Sequence, residues 1–208
     1  MLASIDDLHA CPLGGATYWF RTPDCYDLPR IRRMLTKQGV RRPDRTEMRI
    51  CAQLGVRRLA ESGEWPDGEA DRQVDMIDRW YKLLRPLDEN DLDEPDLEKR
   101  AAQLAALQAE RQKDMAALWP EISGIEAMLD RHWPAWSDLR ADSQYWDEIS
   151  RIDTVRVLIA RIDDKPVPRD PDGLMRSEAY LDIPAEHRVP LATFAMGLLT
   201  PTESQRKN

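Results

Sequence analysis

Histidine, cysteine and carboxylate are the side chains from which this chain would have to build a reactive or metal-binding site, and it spreads them thinly. Its three histidines, His9, His132 and His187, fall in different predicted elements. His132, in Asp130-Arg-His-Trp-Pro134, closes a helix where an imidazole caps the last carbonyls. His187, in Pro184-Ala-Glu-His-Arg188, lies in the first turns of another helix, which reads as a surface position. Cys11, Cys25 and Cys51 are widely spaced, odd in number and without a Cys-x-x-Cys pair, as expected of reduced thiols. A zinc site needs four ligands at short paired spacings, and the loose set His9, Cys11 and Cys25 does not offer them. The 38 Asp and Glu residues make many accidental carboxylate pairs. None comes with a His-Glu-x-x-His, a Gly-x-Ser-x-Gly or a phosphate loop. The expectation is a non-enzymatic protein without cofactor or metal.

Binding chemistry is the remaining option, and two groups of residues could carry it. Seven tryptophans are present, three of them between Trp133 and Trp146. Trp136 and Trp146 fall on an apolar helical stripe and read as core, whereas Trp133 is free to be an exposed anchor. Near the C-terminus Leu191, Phe194, Ala195 and Leu198 stand at i, i+3, i+4 and i+7, one apolar face of a helix. That face has to be covered, either by the chain's own core or by a partner's amphipathic helix. The candidate partner-binding residues are therefore Leu191, Phe194, Ala195, Leu198 and Trp133.

Charge is unevenly distributed. From 21 to 60 there are eleven Lys and Arg against four acids, a net +7 in a chain of net −8. A basic segment of this kind suggests nucleic acid, but an acidic chain is repelled from phosphates unless the basic face is isolated. The segment could equally recruit the acidic stretch 88–98, which holds seven acids, or simply be solvated surface. A nucleic-acid-binding regulator using Arg41-Arg42-Pro-Asp-Arg45 lacks a convincing recognition helix, so nucleic acid is not the expected partner.

The elements that must position these residues read as mainly α: a multi-helix bundle or helical hairpins with at most one short N-terminal strand or hairpin. Only 16–21, short, aromatic and bounded by Gly14-Gly15 and Pro23, reads as a strand. Helical periodicity predicts a helix over 27–38 with Gly39 behind it, and a second opened by Asp44 with Glu47 at capping-box spacing. That second helix carries Met48, Cys51, Ala52, Val56 and Leu59 on one face. A third is predicted over 69–84. The segment 96–118, rich in Ala, Leu, Gln, Glu, Lys and Arg, is the strongest helix, with a kink or restart at Trp119-Pro120. From Pro134 a further helix is predicted to run to Asp163, followed by a loop over 164–173. The last helix spans roughly 184–200. The acidic stretch divides the chain into an N-terminal helical part, 1–87, carrying the basic segment, a linker, 88–95, and a C-terminal helical part, 96–208, with a polar tail at 200–208. The longest apolar run, Leu191–Leu199, is far short of the ~20 residues a spanning helix needs. The opening Met-Leu-Ala-Ser-Ile-Asp-Asp is not secretory in character.

The segment Trp133-Pro-Ala-Trp-Ser-Asp-Leu-Arg-Ala-Asp-Ser-Gln-Tyr-Trp-Asp-Glu-Ile-Ser150 resembles the aromatic-rich helical segment of the tail assembly chaperones of long-tailed, siphovirus-like bacteriophages. The ending Leu198-Leu-Thr-Pro-Thr-Glu-Ser-Gln-Arg-Lys-Asn208 is similar in type to theirs. Its Lys207-Asn208 can be encoded by an A-rich run on which ribosomes slip, as at the frameshift sites that commonly end such genes. The resemblance covers about a third of the chain and leaves the N-terminal half unmatched. It implies a chaperone of the host cell cytoplasm that binds the tape-measure protein and helps recruit the tail-tube protein, with no catalytic residue carried over. A virion structural or head-tail connector component is the alternative of a different class.

Overall fold

Gly14 and Gly15, at φ 55° and 87°, supply the two left-handed residues that a tight two-residue hairpin requires. Strand β1 (Leu8–Leu13) therefore turns back directly as β2 (Ala16–Arg21), with Leu13 opposite Ala16. In this computed structural model residues 7–66, 68–87, 92 and 95–199 are described. Of these, 66% are helical, in seven helices, and a four-stranded antiparallel sheet completes the structure. None of the described helices is long and apolar enough to cross a membrane.

The chain divides into two compact units, 1–42 with 143–208, and 43–142. In the first, the sheet runs in the order β1-β2-β3-β4, with β3 (Ile159–Ile162) and β4 (Lys165–Pro166) a second hairpin paired to the free edge of β2. Tyr18 and Phe20 alternate inward from β2 and are buried. They meet Ile31 and Leu35 of α1 (Asp27–Lys37), the end of α5 (Pro134–Leu158), Tyr180 of α6 (Ser177–Leu181) and Leu191 and Ala195 of α7 (Ala185–Leu199) in one core. Arg21, ending β2, donates two bonds to the buried Asp27 carboxylate, at 2.7 and 2.5 Å, and so ties the sheet to the start of α1. Breaking a buried pair of this kind by removing one partner costs about 3–5 kcal/mol.

The second unit is helical. Asp44 caps α2 (Arg45–Glu61) by accepting from the Glu47 amide at 2.8 Å, the geometry its spacing predicts. Ala52, Val56 and Leu59 of α2, Val74, Ile77 and Trp80 of α3 (Ala70–Leu83), and Leu118, Ile122, Ile125 and Leu129 of α4 (Leu97–His132) form its core, together with Trp136. Trp136 is 1% exposed.

Three expectations require correction. The strands are more than one N-terminal hairpin: β1 and β3 both pair with β2, and β4 extends the sheet along β3. Strand β1 was illegible because Pro12 interrupts it, which an edge strand tolerates. The helix predicted to reach Asp163 stops at Leu158. Ile159 and Ile162 fit helical spacing and strand pairing alike, and the unpaired edge of β2 decides for the strand. Asp163, at φ 51°, turns the chain, and its carboxylate accepts from the Thr17 amide at 2.8 Å. Lastly, no separate helix restarts at Pro120: α4 runs through it. Pro120 and Ala116, whose carbonyl loses its i+4 donor, are both exposed, so water can serve that carbonyl. The acidic segment 88–95, expected as the divider, lies largely outside the described residues, and the compact units are bounded elsewhere, at 42/43 and 142/143. The tail 200–208, with Lys207-Asn208, also lies outside them.

Candidate partner-binding groove

Trp133 occupies the one-residue joint between α4 and α5. Its amide donates to Leu129 O at 2.8 Å, and its carbonyl accepts from the amides of Trp136 and Ser137, so the backbone is held on both sides. Across the same joint the Ser137 hydroxyl donates to Asp130 O at 3.0 Å, and Arg140 bonds the Asp130 carboxylate at 2.6 Å. The indole lies against α2 because Gly55 has no side chain. A Cβ there would stand 2.6 Å from Leu129 Cδ2 and 2.8 Å from Trp133 Cδ1. Closely packed real atoms never approach so near, so glycine sets the depth at which Trp133 is seated.

Beside the indole, one flank of α2 opens into a groove of about 490 Å³ lined by Asp44, Thr46, Glu47, Ile50, Cys51, Leu54, Trp133 and Ala135. Ile50 is 46% exposed and Leu54 51%, which makes them an i, i+4 apolar pair facing solvent. Trp133 and Cys51 are half-buried and form the wall behind them. The Trp133 Nε1–H is buried with no acceptor at hydrogen-bond geometry among the described residues. Burial pushes the Cys51 thiol above its ordinary range, and the neighbouring indole N–H partly opposes that push. The thiol is thus held neutral and serves as a small apolar surface. The groove is apolar along its length and acidic at the end where Asp44 and Glu47 stand.

The remaining candidates lie in the other unit. Leu191 and Ala195 are fully buried in its core, and Phe194 packs on Phe20 with ring centroids 5.3 Å apart. Leu198 is half-buried against the same core. The chain's own core covers this face, so Leu191 and Ala195 have no surface to offer a partner. Trp133 alone of the five stands in an open groove. Ile50 and Leu54 escaped the sequence reading, although a signal existed: they form an apolar pair at i, i+4 off the main stripe of α2.

Several titratable side chains are paired within the described residues. The hydrogen bond of Tyr18 to His187 Nδ1 spans 2.8 Å, with the ring edge-on at 5.7 Å, which places His187 half-buried and not on the surface as expected. Gly14 is again what admits it, since a Cβ there would lie 2.3 Å from Nε2. Burial raises the Tyr18 phenol above its ordinary range, with Asp163 and Glu186 adding to the rise. His9 bonds Thr22 at 3.0 Å, and His132, at the end of α4, stands 3.4 Å from Glu64. Among the described residues no group of three His, Cys, Asp or Glu side chains could hold a metal ion. Compared with family models, with curated proteins and with solved structures, the chain matches none.

Proposed function

We propose that this chain is a non-catalytic binding protein that receives an amphipathic helix of its partner in the α2 groove. The resemblance of 133–150 makes that partner the tape-measure protein of a phage tail and the chain a tail assembly chaperone. The observation that carries the reading is the exposure of Ile50 and Leu54 in front of Trp133, in a groove that the described residues leave uncovered. A groove of this size takes two or three apolar side chains spaced at i, i+3 and i+4 on a partner helix. Such helices occur repeatedly in a long helical protein and need cover until they are assembled. Each buried aliphatic side chain contributes about 1.5–3 kcal/mol, so two or three of them supply roughly 3–9 kcal/mol against the cost of association.

The test is co-expression with the tape-measure protein that this reading expects to be encoded beside this chain. The wild type should keep that protein soluble and co-elute with it. Ile50→Asp with Leu54→Asp should abolish co-elution while the circular dichroism spectrum and melting temperature stay unchanged, since both residues are exposed. Retained co-elution in that variant would remove the groove from the reading. Finding the chain in purified particles at fixed stoichiometry would replace the chaperone with a structural or connector component.

A further inference from the structure

The helical unit carries another concavity, of different chemistry from the α2 groove. It is lined by Arg45, Thr46 and Arg49 of α2, by Asp78, Tyr81 and Lys82 of α3, and by Arg85 just past the end of α3. The spacings put each set on one side of its helix. The pocket holds about 70 Å³, room for several water-sized groups. Its lining sets four cations against one acid, a net +3. Arg49 donates to the Asp78 carboxylate at 2.7 Å, which is the ion pair of the lining. Arg45 donates to the Leu84 carbonyl, a contact that holds the guanidinium and leaves its charge uncompensated. Each of these guanidiniums spends one N–H in this way and keeps the rest of its fork for another acceptor. Lys82 and Arg85 are exposed, and their side chains make no hydrogen bond or ion pair among the described residues.

Helix α3 itself gives cations a reason to gather here, because its last carbonyls carry about half a negative charge. Arg45 on the Leu84 carbonyl and Arg111 of α4 on the Arg85 carbonyl answer that charge. Half a charge offsets only a fraction of the excess, so roughly two positive charges are left for a ligand. A phosphate monoester matches them in charge, size and geometry. It brings about −1.5 to −2 and three acceptor oxygens, which guanidinium forks and an ammonium group take up together. A carboxylate brings a single charge and leaves part of the cations unanswered. A phosphodiester of a nucleic-acid strand also carries a single charge, and the pocket is too small to admit several of them.

We propose that this pocket binds a phosphate monoester, with the phosphoryl oxygens on Arg45, Arg49, Lys82 and Arg85 and the esterified group outside. The site borders the α2 groove at Thr46 but stands on other residues, so the two can fail separately. The full chain is titrated by isothermal calorimetry with inorganic phosphate and with a short phosphoserine peptide, chloride holding the ionic strength constant. Both are expected to bind saturably at one site per chain, with a Kd of about 1 mM or tighter. The tighter of the two tells whether the group arrives on a small molecule or on a partner's side chain. Lys82→Gln with Arg85→Gln should weaken both by about tenfold or more, since two charge-assisted bonds are lost. The circular dichroism melt should stay unchanged, because neither side chain bonds to the fold. Arg57→Gln with Arg58→Gln, the same loss of charge at exposed positions farther along α2, should change affinity by about twofold at most. The proposal is overturned if neither probe binds saturably, or if the Lys82 and Arg85 variant binds as tightly as the wild type. An equal loss in the Arg57 and Arg58 variant would overturn it too, by making the effect one of net charge. So would displacement of phosphate by acetate at equal concentration, which makes the pocket a general anion site. A last overturning result is an oligothymidylate that binds more tightly than either probe and loses that binding in the Lys82 and Arg85 variant, which makes the face one for nucleic acid.

Discussion

Asp153 shows how one carboxylate is held between opposing forces. It is 2% exposed on α5, where Arg156 lies 3.1 Å away and the Gln38 amide 3.4 Å away. Burial pushes its pKa above the ordinary carboxylate range, and the two partners only partly oppose the shift. The folded state therefore holds a proton on Asp153 at a pH where the unfolded chain has released it. Stability from this group must rise as pH falls from above the folded pKa toward the unfolded one, and decline as pH rises through the folded pKa. Urea unfolding of the wild type and of Asp153→Asn across that window should show the wild type gaining on the variant toward acid. A gap moving the other way would mean that attraction to Arg156 outweighs burial.

The first hairpin depends on two glycines of unequal burden. Both Gly14 and Gly15 have positive φ, so alanine at either strains the backbone by about 1–2 kcal/mol. Nothing lies within 4 Å of a Cβ at Gly15, whereas one at Gly14 would run into the His187 imidazole of α7. Gly15→Ala should cost about 1 kcal/mol and Gly14→Ala about 2–4 kcal/mol, from strain plus overpacking. In thermal or urea denaturation, His187→Ala should cost less in the Gly14→Ala background than alone, because it relieves the collision while giving up the Tyr18 bond. Additive costs would show that the loop moves aside freely. The hairpin was half legible: Ala16-Thr-Tyr-Trp-Phe-Arg21 alternates and is aromatic, but its partner strand contains Pro12 and takes its identity from the pairing. The same holds for α2 and the groove. The Asp44 cap and the buried stripe are local and readable, while Ile50 and Leu54 acquire meaning only when Trp133 arrives beside them.

The whole molecule is built from one continuous and one discontinuous unit. Residues 43–142 form the helical unit with its own core, and the other unit needs both 1–42 and 143–208. A fragment of 43–142 should thus show a helical spectrum and a cooperative melt by circular dichroism, whereas 1–42 and 143–208, each alone, should not. A non-cooperative fragment would make the two units one folding unit. Sequence alone determined the helices α1 to α3, the first part of α4, the α2 cap and the start of α5, because helical periodicity, capping oxygens and turn glycines act within a few residues of one another. Tertiary structure alone decided that Ile159–Ile162 leaves its helical pattern to pair with β2, since a strand exists only where an edge awaits it. It also decided that Leu191 and Ala195 are core and that Trp133 is groove wall. An apolar face reads the same in sequence whether its own chain or a partner covers it, and what distinguishes the two is contact between residues more than a hundred positions apart, such as Phe20 with Phe194.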